Sequence, residues 1–64
     1  MEQELVKTLM LLHRQMAQHI EAYHFAIIEN ADESIIKGIR TQIHFLREEI
    51  NKIENSLLDE FGKE

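Results

Sequence analysis

Cysteine and proline are absent from the 64 residues, and only two glycines, Gly38 and Gly62, occur. Without cysteine there is no disulfide framework, no thiolate metal site and no cysteine nucleophile, which fits a reducing compartment. With so few backbone breakers, long uninterrupted helices are the natural expectation. Long apolar runs are also missing: Leu9 to Leu12 is the longest near the N-terminus, far short of a membrane span. The opening Met1-Glu2-Gln3-Glu4 is acidic and lacks the basic end of a secretory or transit signal. These features together lead us to expect a cytoplasmic chain with no membrane partner. An excess of positive charge is missing as well. The formal charge is −5, a balance that opposes general binding to a phosphate backbone.

A chain of this length makes one domain, spanning residues 1–64, and buries only about 60% of the surface its unfolded form exposes. With no staple available, a partner becomes the expected source of stability.

The second half carries the clearest pattern. Ile36, Ile39, Ile43, Leu46, Ile50, Ile53 and Leu57 are separated alternately by three and four residues. Ile36, Ile43, Ile50 and Leu57 take the a positions of a heptad, and Ile39, Leu46 and Ile53 the d positions. Arg40, Arg47 and Glu54 at e, with Gln42, Glu49 and Ser56 at g, keep the stripe narrow. A narrow stripe is what a helix shows when it packs along one seam.

The first half follows the same spacing through Val6, Leu9, His13, Met16, Ile20, Tyr23 and Ile27. Leu5, Met10, Leu12, Ala17 and Ala26 widen that stripe on both sides, as in a helix that touches more than one neighbour. His13 then stands at an a position and reads as a histidine at the edge of the core. Between the halves, Asn30 can adopt the left-handed conformation that ends a helix, and Asp32 or Ser34 can cap the next one. The heptad also breaks there. Continued from Ile27, its next a position is residue 34, whereas the second half sets it at Ile36. The expectation is an all-α antiparallel hairpin, with helices over about 2–29 and about 33–60, in preference to one continuous helix. Two helices bury one seam, so pairing of two hairpins into a four-helix bundle is expected. Its core would hold Leu9, Met16, Ile20, Tyr23 and Ile27 with the seven heptad residues of the second helix.

Chemistry-bearing residues are sparse. His13, His19, His24 and His44 include no pair three or four residues apart, the spacing that puts two imidazoles on one face. Glu21-Ala22-Tyr23-His24 has the Glu-x-x-His form of carboxylate-bridged di-metal bundles, but the second helix offers no acid at that level. A His/Glu metal bundle is the most distant of three functional readings, and no cofactor is expected. Ser34 and Ser56 have no histidine one turn away, and no glycine-rich phosphate loop occurs, so no enzymatic activity is expected.

Leu46-Arg47-Glu48-Glu49-Ile50-Asn51-Lys52-Ile53-Glu54 resembles the first-helix signature of all-helical chorismate mutases. It lies at the wrong end of the chain, with no room for the later helices of that active site. The overall plan, with Ala31-Asp32-Glu33 at the turn and Phe61-Gly62 near the end, is similar to the Rop-type RNA-binding hairpins, which are dimeric four-helix bundles. Those bind RNA through a polar, basic face of the first helix. Here that helix has only Lys7 and Arg14 as bases, so the likeness extends to architecture and not to activity.

Two surface features remain. Lys37, Arg40, His44 and Arg47 recur at three- and four-residue steps as a basic edge, while Glu48, Glu49, Glu54, Asp59 and Glu60 make the rest of that helix acidic. From Ala22 to Ile28 the first helix is almost wholly apolar or aromatic, and Ala22, Phe25, Ile28 and, across the turn, Ile35 are candidates for contact with another protein. The leading expectation is a small non-enzymatic interaction or regulatory module that forms a homodimer. The alternative, from a different class, is a nucleic-acid-binding hairpin using the Lys37–Arg47 edge.

Overall fold

A seven-residue stripe can be buried along its whole length only if a second helix runs beside it, and the chain supplies that helix itself. The computed structural model describes the backbone of residues 2–62 and the side chains of residues 3–60. Helix α1 covers Glu2–Ile28 and helix α2 covers Glu33–Gly62, packed against each other as a hairpin. Met1 and the side chain of Phe61, which enter the sequence arguments above, lie outside the described residues. The contacts of His13 with Glu54 and of Tyr23 with Arg40 set the two helices antiparallel.

The turn is built as the sequence suggests. Asn30 takes a positive φ of 56°. The Ala31 amide donates to the Ala26 carbonyl at 2.9 Å and the Asn30 amide to the Ile27 carbonyl at 3.2 Å. These bonds make a Schellman motif, which satisfies carbonyls that the end of α1 would otherwise leave without partners. Ala31 and Ala26, the pair whose contact usually accompanies that motif, are both partly buried. Asp32 occupies the N-cap of α2, its carbonyl accepting from the amides of Ile35 at 3.0 Å and Ile36 at 3.1 Å. Glu33 adds negative charge at the positive end of the helix.

Helix α2 presents its heptad to α1 as expected. Leu46, Ile50 and Leu57 are buried, Ile50 to 3% exposure, and Ile36, Ile39, Ile43 and Ile53 are half-buried. Thr41 and Ser56, polar residues inside α2, donate their hydroxyls to the carbonyls of Lys37 and Lys52 four residues back.

Helix α1 differs from the reading by periodicity. The residues turned toward α2 are Leu5, Leu9, Leu12, Met16, His19, Ile20, Tyr23 and Ala26, all half-buried. Val6, His13 and Ile27, which the 3-4 spacing places in the seam, stand exposed. Leu9, Met16, Ile20 and Tyr23 keep their places while Leu5, Leu12 and Ala26 replace Val6, His13 and Ile27, so the helix is turned by about half a residue step, roughly 50°, from that spacing. The seam histidine is His19, whose Nδ1 lies 2.8 Å from the Gln15 carbonyl and donates to it within the helix. The side chain of His13 is 51% exposed, with Nε2 at 4.0 Å from Glu54, so it is a surface group and not a core-edge one. The cause is the width of the apolar face: either of two adjacent stripes would serve α2, and α1 can offer it only one.

Two substitutions test the backbone account at fixed protein concentration. Asn30→Val, which forces a β-branched residue into left-handed φ, should cost about 1–2 kcal/mol, whereas Asn30→Gly should keep or raise the thermal midpoint. Gly38 is inside α2 with open space where a Cβ would sit. Gly38→Ala should therefore stabilise the fold by about 1 kcal/mol, measured by circular-dichroism melting. A loss of stability there would mean that another chain packs against that position.

Candidate functional site

The hairpin has two broad sides, and the 3.6-residue period decides what each carries. On one of them, Val6, Met10, His13, Ala17, Ile20, His24 and Ile27 form a second stripe on α1, one residue on from the seam residues. Most of its apolar members are open: Met10 is 64% exposed, and Val6, Ala17 and Ile27 are exposed too. The same side of α2 carries its e positions, Arg40, Arg47 and Glu54, because His13 of that stripe meets Glu54. Lys37 and His44 stand one step further out on α2, so the basic edge lies beside the apolar stripe and not opposite it.

The contacts on this side are few. Arg40 sets its guanidinium carbon 5.9 Å from the centroid of the Tyr23 ring and donates to the Tyr23 hydroxyl at a long 3.5 Å. An exposed cation–π contact of this kind contributes about 0.5–1 kcal/mol and steadies both side chains. The Tyr23 ring also lies 6.0 Å from that of His24, tilted by 55°. Among the described residues, side-chain charge pairs within 4.0 Å are His13 with Glu54 and Lys52 with Glu49, both well exposed to solvent. Neither engages Lys37, Arg40, His44 or Arg47. An open hollow beside the turn is lined by Glu33, Ser34, Ile36, Lys37 and Arg40, and a more apolar one near the other end by Leu9, Glu54, Asn55, Leu57 and Leu58.

The proposed contact residues at the turn end are only partly brought together. Ala22, Phe25 and Ile28 follow one another by single turns around the outer surface of α1, away from the seam, and all are exposed. Phe25 points almost directly outward from the hairpin, at 55% exposure. Ile35 is exposed as well, but it belongs to the edge of the α2 stripe on the opposite broad side from Ile28. The exposed apolar residues near the turn therefore lie on different sides, with Glu29, Asn30, Asp32, Glu33 and Ser34 exposed between them, and do not form one flat patch. Phe45 and Leu58 on α2 and Leu11 on α1 are isolated exposed residues of the ordinary kind.

Of the twelve residues assigned to an oligomer core, Leu46, Ile50 and Leu57 are buried already in one hairpin. Leu9, Met16, Ile20, Tyr23, Ile36, Ile39, Ile43 and Ile53 are half-buried, and Ile27 is exposed. Spacing arguments missed the second, separate stripe on α1. Its signal was present in the widening residues Met10 and Ala17, which do not broaden one face but belong to another.

Among the described residues, no three or more His, Asp or Glu side chains gather where they could hold a metal ion. Glu21 and His24 of the Glu-x-x-His run are both exposed on α1. No helix among the described residues is long and apolar enough to cross a membrane. Comparison with protein-family models, with curated proteins and with solved structures finds no match to this chain.

Proposed function

We propose that this chain is a small non-enzymatic interaction or regulatory module that works as a homo-oligomeric helical bundle and offers the outer surface of α1 near the turn to another protein. The observation that carries the reading is surplus surface. The hairpin exposes 5383 Å² at a mass of 7.6 kDa. A compact monomer of that mass exposes about 4,300 Å², so roughly 1,000 Å² is left over. Its radius of gyration of 14.9 Å likewise exceeds the about 11 Å of a compact chain this long. Val6, Met10, Leu11, Phe25, Ile27 and Ile28 on α1 are among the large apolar side chains left exposed, and clustered exposed apolar residues mark a contact surface. Pairing through one broad side leaves Phe25 outward, on the far side of α1 from the seam, where a further protein can reach it.

Two measurements test the reading. The chain should sediment as a dimer or larger at micromolar concentration, and its thermal midpoint should rise with concentration. A folded monomer insensitive to dilution would refute it. Phe25→Glu should keep helicity and dimer mass while weakening capture of a partner about thirtyfold or more, the usual cost of losing an interface aromatic. Dissociation of that variant would assign Phe25 to the oligomer instead. Binding that collapses steeply with added salt would favour a phosphate-bearing ligand on the Lys37–Arg47 edge.

A further inference from the structure

Accepting the homo-oligomeric reading above, we infer that the occupant of the second α1 stripe is the same stripe of a second copy, with the two hairpins stacked antiparallel so that α1 lies on α1 and α2 on α2. The argument combines symmetry with the placement of charge. Two hairpins joined face to face by a two-fold axis have two arrangements. With the axis along the helices, the hairpins are parallel and α1 of each lies over α2 of the other. With the axis across the helices, they are antiparallel and each helix lies over its own copy.

The residues on this side separate the two. In the parallel arrangement Val6, Met10, Ala17, Ile20 and Ile27 of one chain would press on Arg40, Arg47 and Glu54 of the other. Charged groups would lose water against an apolar surface with no partner there. In the antiparallel arrangement the apolar stripe meets itself. Across α2, the half from Lys37 to Arg47 has three bases and no acid, while the half from Glu48 to Glu60 has five acids and one base. Antiparallel stacking sets basic half over acidic half, with Arg40 near the level of Glu54 of the other copy. Parallel stacking instead leaves the two acidic halves at the same level, diagonally across the bundle and facing no basic half. In the antiparallel arrangement Arg47 comes closest to its own copy, a like-charge approach that the Arg40–Glu54 pairings on either side of it offset.

The geometry of α1 agrees. The second stripe is offset from the seam by one residue, about 100° around the helix, and adjacent neighbours in a four-helix bundle are set at about a right angle. Ala17, the smallest residue of the stripe, falls at its middle, where the two-fold axis would pass and the helices approach most closely. The surplus of roughly 1,000 Å² is comparable with the about 800 Å² that each partner contributes to a stable interface.

The test reads orientation directly. A spin label at Glu29→Cys, unique in this cysteine-free chain and outside the stripe, reports the distance between the two turn ends. With the axis at Ala17, 24 residues of helix separate the labels, about 36 Å at 1.5 Å per residue. The parallel arrangement places them within about 20 Å, and that result would overturn the inference while leaving the dimer intact. Absence of any dimer in sedimentation would instead remove the reading on which it rests. A second pair of variants tests the face. Met10→Lys, harmless to an isolated hairpin in which Met10 is mostly exposed, should weaken dimerisation at least tenfold. Leu11→Lys, on the other side of α1, should leave it within about twofold. Equal effects of the two, or none from Met10→Lys, would place the interface elsewhere.

Discussion

Two helices side by side share a single line of contact, and everything else in this hairpin follows from how the chain divides its apolar residues around that line. Helix α2 has enough for the line and little more, so its flanks carry charge. Helix α1 has enough for two such lines and can use only one. Among the described residues, the buried ones accordingly all belong to α2, although α1 is the more apolar helix. An element that touches one neighbour cannot be enclosed, however apolar it is.

This asymmetry also decides what could be read from the sequence. The α2 heptad was legible because the stripe is narrow: a rotation by one residue would bring Arg40 and Arg47 into the seam, so a single orientation is compatible with burial. The turn was legible because Asn30 is one of the few residue types at ease in left-handed φ, and the heptad changes phase at that point. The rotation of α1 was not. Leu5, Leu12 and Ala26 compete with Val6, His13 and Ile27 at the same spacing, and no polar residue on either stripe is costly enough to decide between them. The choice is made by the partner helix, which periodicity within α1 does not contain. The candidate surfaces share that fate, because whether Met10 belongs to a core or a surface depends on how α1 is turned.

The arrangement changes the meaning of the basic edge. Considered on α2 alone, Lys37, Arg40, His44 and Arg47 suggest a strip for an acidic ligand. On the hairpin they lie along the border of the apolar stripe on the same broad side, so in the antiparallel pairing we infer they would act on orientation. Charge bordering an interface adds little binding energy in general and acts mainly by excluding wrong orientations. Arg40 has a local partner in Tyr23, which ties the edge to the seam.

Burial along the seam is graded, and the grading runs against chain connectivity. Leu46, Ile50 and Leu57, the buried residues, lie toward the open end, while Ile36, Ile39 and Ile43 next to the turn are only half covered. Contacts near the turn close short loops at small entropic cost, whereas the pairing of Glu54 with the level of His13 closes a loop of some 40 residues. The chain thus spends little burial where connectivity already holds the helices together and concentrates it where the ends would otherwise fray. In a helical pair of this design, side-chain burial is deepest where chain connectivity helps least, and caps take over that task at the turn.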